Sequence, residues 1–223
     1  MTLFTRGLSG FLALSFYFWS ISKIPLAMAV MLNYTSPLFV AFLAPLVLKE
    51  NFNKNIFFLI LMGFMGVILI VKPSPDTDLT GALIGLISGI FAAFAYLSIG
   101  ALREDHSSLT IVFYFFWVST LLSLPLVWPY FQIPTFREAV YLLGTGFFAT
   151  AAQILMTRAY RLGPTAATSA YSSSIMLFSL LWGMIFWKEI PTLLSILGGV
   201  LVVISVIFIS QKEKIDATPS DAE

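Results

Sequence analysis

Cysteine is absent from the 223 residues, which removes disulfides, iron–sulfur clusters and thiolate zinc sites and leaves the redox compartment unmarked. The one histidine, His106, sits in the charged stretch Arg103-Glu104-Asp105-His106. Charge is scarce: Asp, Glu, Lys and Arg make up 10% of the chain, and they nearly cancel to a net +1, a total that by itself says nothing about partners; no nucleic-acid partner is expected. No aspartate, glutamate or histidine lies near the middle of an apolar run. A buried carboxylate is the usual proton-relay element inside a membrane; its absence argues against a proton pump and leaves exchange or facilitated diffusion. The same absences remove the nucleophile–base pairs and metal-ligand clusters that an intramembrane enzyme needs. No catalytic residue, metal site or cofactor is therefore expected.

What is present is apolar surface. Hydrophobic residues are 59% of the chain and mean hydropathy is +0.94, values that a water-soluble domain of this size does not reach. Apolar runs fall at 7–23, 26–48, 55–72, 79–102, 109–131, 137–160, 164–187 and 192–210, each long enough to approach or span a hydrocarbon layer of about 30 Å. They are continuously apolar rather than alternating, which predicts helices instead of a barrel, since a helix satisfies its own backbone hydrogen bonds where water is missing. The expected fold is an all-α membrane protein of eight transmembrane helices, with lipid bilayer and a small solute as its partners.

The dipeptide Lys-Glu occurs at Lys49-Glu50 and again at Lys188-Glu189, and each glutamate stands 25 residues beyond a proline, Pro25 and Pro164. One offset of 139 (164 minus 25, 189 minus 50) superimposes both landmarks. The two copies are separated by an odd number of crossings, so equivalent residues face opposite sides of the bilayer. Such an inverted-topology repeat is the architecture of a secondary transporter. The second copy is preceded by the runs 79–102 and 109–131, whose counterparts would lie before Met1. A symmetric protein would need about 60 further residues, two helices with their loops. The expected organisation is a shortened first repeat at 1–77, a complete second repeat at 78–211 and a tail at 212–223. The shortening admits a second expectation, a non-transporting paralogue or subunit, and with it a homodimer or a partner that supplies the missing helices.

Placing the N-terminus on one side gathers Arg6, Lys49, Lys54, Arg103, Arg158, Arg161, Lys212 and Lys214 there, against Lys23, Lys72, Arg137 and Lys188 opposite. Eight against four puts both termini in the cytoplasm of a multi-pass protein of the cell membrane, a bacterial inner membrane by expectation. Arg6, the apolar stretch Leu8 to Ile21 and Ala27-Met28-Ala29 resemble a secretory signal with a cleavage site. The repeat argues against it, because cutting after Ala29 would destroy the first turn of the helix that Pro25 opens, and a proline is favoured there for want of an N–H.

The segment Pro25-Leu-Ala-Met-Ala-Val-Met-Leu-Asn33-Tyr-Thr-Ser-Pro37-Leu-Phe, with Leu48-Lys-Glu50, Gly63, Gly66 and Val67, resembles the first EamA repeat of the drug/metabolite transporter superfamily. Ala159-Tyr160-Arg-Leu-Gly163-Pro164 through Lys188-Glu189 and Gly198-Gly199 resembles the second. The resemblance covers essentially the whole chain as helices three to ten of a ten-helix family. It implies movement of a small organic metabolite such as an amino acid, a nucleoside, riboflavin or S-adenosylmethionine, by alternating access. The departures are the missing first two helices and Ser205, where the second copy should match Gly66.

Transporter sites lie near the midplane, where a helix is interrupted. Pro37 cannot donate to the Asn33 carbonyl and its ring clashes with that carbonyl, so the run 26–48 should bend there, beside Asn33, Tyr34, Thr35 and Ser36. The offset maps this cluster onto Ser172, Ser173, Ser174 and Ile175; Thr168, Ser172 and Ser179 share a helical face, and Thr150, Gln153 and Thr157 form a stripe on 137–160. The expected substrate-binding residues are Asn33, Ser36, Gln153, Thr168, Ser172 and Ser173, although mid-helix Ser and Thr also bond back to their own carbonyls or join helices. Tyr17, Trp19, Tyr34, Tyr96, Tyr114, Trp117, Tyr171 and Trp182 are read as packing material, like the 22 phenylalanines. Gly81, Gly85 and Gly89 form a small-residue packing stripe. Lys49, Glu50, Lys188 and Glu189 are helix-end pairs on opposite faces, either gate elements or interface anchors.

Overall fold

The structure, a computed structural model, describes residues 2–48, 54–71, 78–102, 104–162, 168, 175–188 and 190–216. Its elements are α1 (Leu3–Ile21), α2 (Leu26–Asn33), α3 (Ser36–Leu48), α4 (Lys54–Val71), α5 (Leu79–Leu102), α6 (Ser108–Val127), a 3-10 turn at Trp128–Tyr130, α7 (Phe136–Leu162), α8 (Ile175–Trp187) and α9 (Leu193–Asp216). No strand occurs among the described residues, and the protein is an all-α membrane protein. Leu26–Leu43, Leu79–Leu102, Ser108–Tyr130 and Phe136–Leu162 are each long and apolar enough to cross a bilayer, and Phe58–Ile70 and Leu193–Ile209 are shorter apolar helices. The remaining two runs are occupied by α1, which carries Arg6, and by α8, described from Ile175 onward.

Helix starts are written in short-range polar contacts. Thr2 accepts from the Thr5 amide at 3.3 Å while Thr5 Oγ1 accepts from the Thr2 amide at 3.1 Å, a reciprocal cap on α1. Ser107 does the same work for α6, accepting from the Thr110 amide at 3.1 Å, and Thr192 for α9, accepting from the Ser195 amide at 3.2 Å. These caps satisfy donors that have no partner within the first turn of a helix. Lys188 ends α8 with a φ of 55°, the left-handed conformation that stops a helix at the cost of strain for any residue with a Cβ.

The run 26–48 is divided. α2 ends at Asn33 and α3 starts at Ser36, and between them Thr35 Oγ1 donates to the Leu32 carbonyl at 2.6 Å. Pro37 then stands in the first turn of α3, where a missing N–H costs nothing.

α1 lies against α5 and α6, α2 and α3 lie on α5, α4 pairs with α9, and α8 touches α2. α7 closes on α5 and α6. The main core gathers Met31, Leu32, Leu38, Ile70, Val202 and Val206, while Phe113, Trp117, Phe147 and Phe148 are exposed as the outward apolar surface that lipid covers. The stripe on α5 accommodates close neighbours: a Cβ on Gly89 would meet the Leu32 and Asn33 carbonyls at 3.0 and 3.1 Å. The broken helix therefore rests directly on the backbone of α5.

Candidate functional site

The polar interior is built around Arg6. An arginine in the first turn of a spanning helix ordinarily extends its guanidinium outward to the headgroups. Here it runs the other way. A methyl at Gly10 would collide with the Arg6 guanidinium and with the Phe115 ring, so the charged group lies one turn deeper than its own Cα, about 6 Å along the helix. Arg6 is 2% exposed. Its guanidinium carbon stands 4.5 Å from the Phe115 ring centroid, a cation–π arrangement, and Nη2 donates to Gln153 Oε1 at 3.1 Å. No described carboxylate pairs with it: Glu138, the one acidic residue inside an apolar run, is exposed in the first turn of α7 and accepts from Thr135.

Around this cation stand Tyr96 and Tyr160, stacked with centroids 5.2 Å apart and close to Arg6. Tyr96 in turn neighbours Ser36 at the start of α3; the Ser36 hydroxyl is buried and closes no hydrogen bond of good geometry. Arg6 Nε, Ser119 Oγ and Thr157 Oγ1 are likewise buried without a partner among the described residues. Thr157 is one turn beyond Gln153 on α7 and Ser119 one turn beyond Phe115 on α6, so these orphaned groups converge on the helix faces that enclose the guanidinium. On the side of the α1 start, Ile99, Leu102 and Ile111 with Leu3 form an apolar layer that covers the cluster.

The sequence-predicted residues divide. Gln153 contacts Arg6 directly and Ser36 joins the cluster through Tyr96. Asn33 instead donates through Nδ2 to Ser88 Oγ at 2.9 Å, and the Ser88 hydroxyl donates to the Gly85 carbonyl at 2.6 Å, a tie between the helix break and α5. Thr168 is helical and half-buried. Thr150 is exposed and bonds back to the Gly146 carbonyl at 2.7 Å. Lys188 is exposed at the end of α8. Ser172, Ser173, Lys49, Glu50 and Glu189 lie outside the described residues. Sequence reasoning missed Arg6, which it counted as an interface charge, and it read Tyr96 as packing; the available signal was Gly10, one turn after Arg6, a gap in the side-chain surface into which a long cation fits.

Residues 1–72 and 79–211 match the EamA-like transporter family. The chain is 38% identical over 214 residues to the pseudopaline exporter CntI of Pseudomonas aeruginosa, covering 95% of this chain and 75% of that one. It is 23% identical to the S-adenosylmethionine uptake transporter of Rickettsia bellii, covering 94% and 72%, and 26% identical to the riboflavin transporter of Vibrio cholerae, covering 91% and 68%. A solved crystal structure aligns with a TM-score of 0.66 at 15% identity over 97% of this chain and 77% of that one, a likeness of fold. Together with an all-helical apolar architecture and a buried polar cluster, the match over nearly the whole length makes this chain a member of the EamA-like transporter family, a multi-pass membrane protein.

Proposed function

We propose that this protein is a secondary transporter that carries a small organic metabolite across the cell membrane by alternating access, with the solute seated among Ser36, Gln153 and the break at Tyr34-Thr35. The observation that carries the reading is the buried polar cluster sealed toward the α1 start by Leu3, Ile99, Leu102 and Ile111. Polar groups without partners are costly inside a membrane, and a solute that satisfies them in passing gives them a use. Asn33 holds the break in place through Ser88. Higher identity to an exporter than to an uptake transporter favours outward movement.

The test uses purified protein in liposomes, with counterflow measured for amino acids, nucleosides, riboflavin, S-adenosylmethionine and pseudopaline. At least one compound should accumulate above protein-free liposomes and be accelerated by unlabelled compound on the opposite side. Ser36→Leu should cut that flux about tenfold, equivalent to about 1.4 kcal/mol. Flux no greater than in empty liposomes, or flux without acceleration from the far side, would overturn the reading.

A further inference from the structure

We infer that Arg6 is an anion-recognition point in the transport path and that the substrate carries a carboxylate. This rests on the transport reading above and goes further by naming the chemical class. Three observations converge. The guanidinium turns inward past Gly10 instead of outward to the headgroups, although the outward direction is the cheaper one. It has one side-chain acceptor, Gln153 Oε1, which is neutral, while its Nε–H faces no acceptor among the described residues. The hydroxyls of Thr157, Ser119 and Ser36 are buried and able to donate, and they stand on the faces around it.

A carboxylate would meet the Arg6 Nε–H and the hydroxyls within its reach. Its two oxygens match the planar fork of an arginine and accept from hydroxyls as well. The charge count favours a carboxylate over a phosphate: Arg6 is the one basic residue among the described residues buried in the interior, and a single cation balances a single negative charge. Gln153 orients the guanidinium through Nη2, and the Phe115 ring holds it from one face.

Benzoate and benzamide make a probe pair of equal shape that differs in charge, and thermal unfolding of the purified full chain in detergent reads their binding without requiring transport. Benzoate at saturating concentration should raise Tm by about 2–4 °C and benzamide should leave it unchanged. Arg6→Met should erase the difference, Arg6→Lys should retain part of it because the charge remains without the fork, and Thr157→Val should weaken it with folding intact. Equal shifts from benzoate and benzamide in the wild type would overturn the inference whether or not any variant folds. So would a benzoate shift that survives in Arg6→Met. A charge-dependent shift in a protein that moves no compound would sink the transport reading alone, and transport without such a shift would sink the anion site alone.

Discussion

Asn33 donates to Ser88 on α5, and Ser88 donates onward to the Gly85 carbonyl, whereas Gln153 accepts from a buried cation. The two amides were equally conspicuous in the sequence as groups that lipid cannot hide, but which partner each meets depends on where α5 and α1 cross the helices that carry them. Arg6 was illegible for a related reason. Its position in the first turn of α1 fits a headgroup anchor, and only the absence of a side chain at Gly10 allows the opposite direction. Substituting at Gln153 separates these uses. Gln153→Glu places a carboxylate where Oε1 already meets Nη2 at 3.1 Å, pairing a charge that is buried in any case, so the usual desolvation cost falls only on the new carboxylate. Thermal stability should rise by a few degrees while counterflow falls at least tenfold, because the substrate's place is taken from within. Asn33→Leu should act differently, lowering Tm by the loss of one interhelical hydrogen bond, about 0.6 kcal/mol and at most about 2. If Gln153→Glu transports as well as the wild type, Gln153 is not beside the path.

Between helices the informative contact is Gly66 with Gly198. A Cβ on Gly66 would stand 2.6 Å from the Gly198 carbonyl oxygen, and one on Gly198 would stand 2.8 Å from the Ile70 amide nitrogen. Both obstacles are backbone, so α4 and α9 would have to separate. Gly198→Val should therefore cost about 1–3 kcal/mol or more, seen as a lower Tm and a smaller folded yield. Its neighbour provides the contrast: Gly199 meets only the flexible end of Met31 at 3.4 Å, and Gly199→Ala should be neutral or stabilising by up to about 1 kcal/mol through helix propensity. Equal losses from both substitutions would remove the close crossing. The sequence announced the glycines but could not say which of them meet, since a small residue permits an approach without naming the partner. It did locate the interruption of 26–48 from Pro37, because a residue that cannot donate must disturb the ladder. It did not reveal that Thr35 caps α2 by donating to Leu32, a contact that exists only after the chain has already turned.

Taken as a whole, the sequence carries two landmarks twice at one offset, the prolines Pro25 and Pro164 and the Lys-Glu pairs at 49–50 and 188–189. The all-helical membrane fold was legible because apolar length is dictated by bilayer thickness; the polar interior was not, because it depends on side-chain direction across five helices. Orientation follows from the distribution of charge rather than from packing. On the crossings expected from the sequence, seven Lys and Arg besides the buried Arg6 fall on the side of the N-terminus and four on the other, and basic loops are retained in the cytoplasm. A fluorescent protein fused after Glu223 should therefore be bright, and alkaline phosphatase inserted between Pro73 and Asp78 should be active, in the same bacterial host. The outcome also fixes which way the path is sealed. With the termini inside, the layer of Leu3, Ile99, Leu102 and Ile111 lies between Arg6 and the cytoplasm, so a membrane-impermeant reagent added from outside should reach a cysteine introduced at Thr157 sooner than one added from inside. A dark C-terminal fusion with an inactive loop insertion would invert the molecule and, with it, the side from which Thr157 is reached.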